Sequence, residues 1–138
     1  LESLLERVNR RFFGDTVRVR ITWGRRLPRR RVQARTLGIY YRGENVIVIS
    51  PVLDQWLVPQ WFVEFTIYHE CLHALQSAGE RPHGTAFRRR LRLHPRYGEA
   101  MQWEKANIDV LTSCIQPAQQ AACRVHRTDD VRQLGFPW

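Results

Sequence analysis

The sequence predicts an α+β fold: a small antiparallel sheet of about three strands with helices packed against it. Three observations lead there. Residues 16–50 hold three short runs rich in β-branched and aromatic side chains, broken by Gly, Pro and charged stretches. A long, mostly apolar run with helical spacing follows, from Pro59 to Ala78. The chain has 138 residues, 43% of them hydrophobic, with five Trp, which suits one domain with a real core and argues against disorder.

Each element can be justified in turn. Leu1 to Phe13 reads as an amphipathic helix, with Leu4, Leu5, Val8 and Phe12 as its apolar stripe. Ser3 is placed to cap it, with Glu6 three residues on, and Gly14 ends it. Thr16 to Trp23 alternates: Val17, Val19, Ile21 and Trp23 fall on one side, Arg18, Arg20 and Thr22 on the other. That pattern is a half-buried strand. Leu37 to Tyr41 and Asn45 to Ser50 read as two strands joined at Arg42-Gly43-Glu44, a hairpin. The second is continuously apolar over Val46-Ile47-Val48-Ile49, as in a strand buried on both faces. Pro51 stops it, and Val52 to Leu57 reads as a short helical turn.

The next helix has Pro59 near its first turn and Gly79 as its stop. Trp61, Phe62, Phe65, Ile67, Leu72 and Leu75 make its faces apolar, so it is expected to be buried. Gly84 to His94 follows as a helix with Phe87, Leu91 and His94 on one face and Arg88, Arg89, Arg92 and Arg96 on the other. His94 is read as a core histidine bonding a carbonyl in preference to a ligand. Arg96 to Ser113 closes the domain as a long helix with Tyr97, Met101, Ile108 and Leu111 as core contacts. The division expected is a domain over 1–113 and a tail over 114–138, which either packs on the domain, lies in its cleft as an inhibitor, or forms a linker.

The long helix carries His69-Glu70-Cys71-Leu72-His73, the pattern H-E-x-x-H. Residues four apart share one helix face, so His69 and His73 can address one metal ion. Glu70 then stands beside that ion, placed to take a proton from water. A catalytic zinc needs a third protein ligand. His83 is the candidate: Pro82 turns the chain back, and Gly84 permits a close approach. Glu99 and Glu104 on the last helix are the rivals. One zinc ion per chain is expected. Tyr97 and His94 are weak candidates for donating to a developing oxyanion.

The formal charge is +9, from 21 Arg and one Lys. Arg25, Arg26, Arg29, Arg30 and Arg31 crowd a loop around Pro28, and Arg88, Arg89 and Arg92 share a helix face. Each group reads either as solvated surface or as a contact for nucleic acid. Three cysteines exclude a fully paired disulfide framework. Cys114 and Cys123 are expected as free thiols rather than a pair, which suits an intracellular protein. Cys114, Cys123 and His126 lack the tight spacing of a zinc ribbon. No apolar run is long enough to cross a membrane and no leader pattern opens the chain. The expected setting is the cytoplasm, of a bacterium, and the expected state is a monomer.

The order of motifs also resembles a known family. Asn9-Arg10-Arg11-Phe12-Phe13-Gly14, Trp23, Leu37-Gly38-Ile39-Tyr40, Ile47-Val48-Ile49-Ser50 with Leu53, Tyr68-His69-Glu70-Cys71-Leu72-His73 and His83-Gly84-Thr85-Ala86-Phe87 together resemble the SprT-like zinc metallopeptidases, whose eukaryotic relatives include Spartan. The resemblance covers about residues 1–113. It implies a zincin-like fold, zinc on His69, His73 and His83, and Glu70 as general base. Spartan-like members degrade proteins crosslinked to DNA, which implies a protein or peptide substrate and DNA as a further partner. The spacing from His73 to His83 is shorter than in the eukaryotic members, and their Cys-rich ribbon has no counterpart in the tail. The competing expectation is a basic nucleic-acid-binding module whose zinc is structural or inactive.

Overall fold

A computed structural model describes residues 1–25 and 36–113. Among them are four α-helices and one three-stranded mixed sheet, an α+β arrangement. Helix α1 spans Glu2–Phe13 and ends at Gly14, whose φ of 56° is the left-handed conformation that glycine adopts without strain. Its N-cap is Leu1, without a side-chain cap; Ser3 lies inside the helix and forms no capping box. Val8 and Asn9 are buried. Asn9 is the hinge pin of this corner. Its Nδ2 donates to the Val17 carbonyl at 2.8 Å, and its Oδ1 accepts from the Val17 N–H at 3.1 Å.

That pair of bonds explains a difference from the sequence expectation. The first strand, β1, covers only Arg20–Trp23, because the chain at Val17 is tied to α1 rather than to a neighbouring strand. Strand β2 is Gly38–Tyr41 and β3 is Val46–Ile49. They form the expected antiparallel hairpin, with Gly38 opposite Ile49 and Tyr41 opposite Val46. Asn45 closes the turn at φ 52°, a conformation Asn tolerates. Strand β3 lies in the middle of the sheet, and all four of its residues are buried.

The sheet is not purely antiparallel. Strand β1 pairs with β3 in parallel, Arg20 opposite Val46 and Trp23 opposite Ile49, giving the order β1-β3-β2. A tight hairpin can only join antiparallel neighbours. Strand β1 therefore does not pair with the strand that follows it in sequence.

Pro51–Leu53 forms a 3₁₀ turn, shorter than the expected Val52–Leu57 turn, with the Ser50 hydroxyl accepting from the Val52 N–H. Helix α2 runs Gln60–Leu75, with Pro59 as N-cap. It contacts α1, β2 and β3, as well as the two helices that follow. Phe62, Phe65, Ile67 and Leu72 are buried as expected, but Trp61 is only half-buried and Leu75 is exposed. The helix stops at Leu75, before Gly79, because Gln76 turns extended at ψ 138°. Helix α3 spans Thr85–Arg92, with Gly84 as N-cap, and α4 spans Tyr97–Ser113. Phe87 and Leu91 are the buried residues of α3; Ala100, Ile108 and Leu111 are buried on α4, while Tyr97 and Met101 are half-buried. No described helix is long and apolar enough to cross a membrane.

Candidate metal centre

Helix α2 presents His69 and His73 one turn apart, and the turn before α3 brings His83 up to them. The three Nε2 atoms converge: 3.2 Å between His69 and His73, 3.1 Å between His73 and His83, 3.3 Å between His69 and His83. Three nitrogens bound to one tetrahedral ion at about 2.0–2.1 Å each would stand about 3.3 Å apart. The histidines are therefore already at ligand spacing. Burial holds the His69 imidazolium down to about 3, with His73 and His83 adding to the effect. Burial also lowers His73, against the hydrogen bond that its Nδ1 donates to Gln76 Oε1, which raises it. Neutral imidazoles offer lone pairs to a cation, and the trio is able to hold a metal ion.

Phe87 forms the floor. Its ring stacks on His73 at 4.3 Å and 18°, and meets His69 and His83 at 5.0 and 5.1 Å. The buried face of α3 thus fixes all three rings from one side. This is the physical content of the His83-Gly84-Thr85-Ala86-Phe87 spacing.

Glu70 is buried, 4% exposed. Burial pushes its carboxyl up to about 8, and a hydrogen bond from the Tyr40 backbone N–H works the other way. The strand comes very close here. A Cβ added at Gly38 would lie 2.9 Å from both Glu70 Cγ and Oε1. Only glycine leaves room for the carboxyl against β2. Glu70, the three histidines and β2 share one cleft of about 640 Å³. Its farther wall includes Phe62, Phe65, Met101 and Glu104.

The rival ligands are not part of the cluster. Glu99 is exposed and pairs with Arg96 at 3.8 Å. Glu104 lines the cleft but is absent from the histidine cluster. His94 is buried, as expected, but it follows α3 rather than belonging to it. Its Nδ1 accepts from the Arg96 N–H at 3.1 Å, so it bonds a backbone donor and not the carbonyl expected. Neither His94 nor Tyr97, the candidate oxyanion donors, lines the cleft.

Of the basic residues singled out, Arg25 is exposed, and so are Arg88, Arg89 and Arg92 on α3. Arg26, Arg29, Arg30 and Arg31 lie outside the described residues, as does everything from Cys114 onward. Two site residues had no role assigned from the sequence. Gly38 stands in one of the motifs behind the resemblance, but its role depends on what α2 places above it. Gln76 sits just past the motif and bonds His73, a contact that only the helix end at Leu75 creates.

Searches of curated proteins and of solved structures return no match. The sequence model of the SprT-like family matches residues 1–110, spanning α1, the whole sheet, the histidine cluster and most of α4, and the chain belongs to the SprT-like family.

Proposed function

We propose that this chain is a zinc-dependent endopeptidase with a zincin-like fold, in which His69, His73 and His83 hold the metal and Glu70 is the general base. The observation that carries this reading is the convergence of three Nε2 atoms within 3.1–3.3 Å in the cleft that Glu70 also lines. The donor set suits zinc: three imidazole nitrogens, with no fourth protein ligand in the cluster among the described residues. Structural zinc sites normally have four protein ligands, and three with an open position mark catalytic ones.

When bound there, zinc supplies Lewis acidity, lowering the pKa of a water and polarising a carbonyl oxygen. The rest of the chemistry belongs to the chain. Glu70 takes the proton from the attacking water and passes it to the leaving amine. Burial pushes this carboxyl up to about 8, and a cation held by the histidines would draw it back down. The Tyr40 N–H holds the carboxylate in place while it exchanges the proton.

Strand β2 gives a substrate somewhere to lie. Leu37 accepts from the Ser50 N–H at 2.9 Å, so Leu37, Ile39 and Tyr41 turn their backbone groups towards β3. Gly38 turns its N–H and carbonyl, and Tyr40 its carbonyl, to the open edge, which lines the cleft, while the Tyr40 N–H is taken by Glu70. A peptide added along that edge would be held by main-chain bonds next to the histidines. Replacing Glu70 by Gln tests the assignment. Turnover of an unfolded protein substrate is expected to fall by more than about 10³-fold while zinc stays bound stoichiometrically. Turnover surviving in that variant would remove Glu70 from the mechanism.

The DNA-linked part of the proposal rests on charge. Arg88, Arg89 and Arg92 are exposed on the helix whose inner face floors the histidine cluster. DNA bound there would lie beside the cleft, which fits a protease acting on DNA-bound or DNA-crosslinked protein.

A further inference from the structure

We infer that Gln76 is a positioning residue for the metal centre, fixing the tautomer of His73 and seating the loop that delivers His83. The inference rests on the zinc reading above. Gln76 is only 6% exposed and touches three parts of the site. Its Nε2 donates to the Arg81 carbonyl at 2.9 Å. Its Oε1 lies 2.8 Å from His73 Nδ1. Its own backbone carbonyl accepts from the Arg42 guanidinium at 2.8 Å.

These contacts fix the protons. The Arg81 carbonyl can only accept, so the amide nitrogen of Gln76 must face it. The amide oxygen is then left for His73, and an oxygen can only accept. His73 Nδ1 therefore carries the hydrogen. The lone pair is left on Nε2, the atom that faces His69 and His83. A ligating histidine whose other nitrogen donates to a fixed acceptor is held in one tautomer and one ring orientation.

The same amide acts on the third ligand. Arg81 stands two residues before His83, and its carbonyl also accepts from the Gly84 N–H at 3.1 Å. Gln76 thus anchors the turn that holds His83, while Arg42 anchors Gln76 to the β2–β3 hairpin. One side chain joins the helix that carries two ligands to the loop that carries the third.

The test is zinc affinity by competition with a chromophoric chelator, for the full chain and for Gln76→Met and Gln76→Glu. Gln76→Met keeps the length and loses both polar contacts. It is expected to weaken zinc binding roughly 10- to 100-fold. Gln76→Glu restores the acceptor for His73 but sets a carboxylate oxygen against the Arg81 carbonyl, and should recover only part of that loss. Unchanged affinity in Gln76→Met would overturn the proposal, and a Glu variant no better than the Met one would overturn the tautomer role. A second readout needs no variant. In the ¹⁵N spectrum of the metal-free wild-type chain, His73 is expected with the proton on Nδ1; the opposite tautomer would overturn the inference even if both variants failed to fold. A wild-type chain that binds no zinc would sink the underlying metal reading along with it, whereas zinc binding without peptidase activity would leave this inference standing.

Discussion

Gly38 is the residue where strand and chemistry collide. Its φ is not in the left-handed region, so alanine is tolerable to the backbone. The conflict is with Glu70, 2.9 Å from the added Cβ at both Cγ and Oε1. Glu70 can yield only by leaving the Tyr40 N–H that holds it. Gly38→Ala is therefore expected to lower kcat by at least about tenfold, since small misplacements of a reacting group are costly. Zinc affinity should stay within a few-fold of wild type, because no histidine is touched; a loss of metal instead of kcat would contradict this account. His94 makes a different residue-scale prediction. Its ring packs against Phe12, Phe65 and Tyr68, and burial lowers it to about 4, with Arg11 and Arg96 adding and Glu64 opposing. The unfolded chain binds this proton near 6.5 and the folded chain only near 4. Stability from His94 is thus complete above about 6.5 and lost as the pH falls towards 4, by on the order of 1–2 kcal/mol after solvent screening. Subtracting the urea stability of His94→Gln from that of wild type, across pH 7 to 4, should reveal this slope; a flat difference would refute it. The pattern of the sequence placed His69, His73 and Glu70 because a helix repeat is local. It placed His83 because Pro82 and Gly84 punctuate the chain. It was silent on the roles of Gln76 and Gly38, which exist only after distant segments meet.

Elements show the same division between local and distant causes. Helix α1, the β2–β3 hairpin, the buried β3 and all three later helices follow from periodicity, turn residues and breakers, and their ends shift by a few residues. Two errors were larger. The strand expected from Thr16 shrank to Arg20–Trp23, and the antiparallel sheet became mixed. Alternation says which face a strand buries, not which neighbour it takes; that choice depends on distant contacts such as Asn9 holding Val17. Asn9 is thus the element-scale test. Removing its side chain leaves the Val17 N–H and carbonyl without partners in a buried corner, where each lost bond costs about 1–3 kcal/mol. Asn9→Ala is expected to lower stability by roughly 2–4 kcal/mol, read as a shift in the urea midpoint at constant m-value. An unchanged midpoint would mean that water replaces both bonds and that α1 and β1 are joined by packing alone.

At the scale of the whole molecule, the charge of +9 and the cleft must be read together. Helix α3 is where they meet. Its buried face, Phe87 and Leu91, supports the histidine cluster and the core, and its outer face carries Arg88, Arg89, Arg90 and Arg92, all exposed. Arg96 is different: it lies over the Trp61 ring at 5.0 Å and pairs with Glu99, so part of its role is structural. A helix with one face on the histidine cluster and the other bearing exposed charge is a direct way to hold a polyanion near the cleft. Replacing Arg88, Arg89 and Arg92 together by Gln should leave the fold intact, since all three are exposed. If they contact phosphates, the slope of log affinity for single-stranded DNA against log salt should become shallower by roughly 2, at about 0.7 per contact. Zinc affinity and cleavage of a DNA-free peptide should not change. Should the DNA slope stay the same, the outer face of α3 is solvated surface, and the remaining basic candidates are Arg25, Arg26, Arg29, Arg30 and Arg31. Should peptide cleavage fall with the DNA slope, the substitutions have disturbed Phe87 from behind, and the two faces of this helix are not independent.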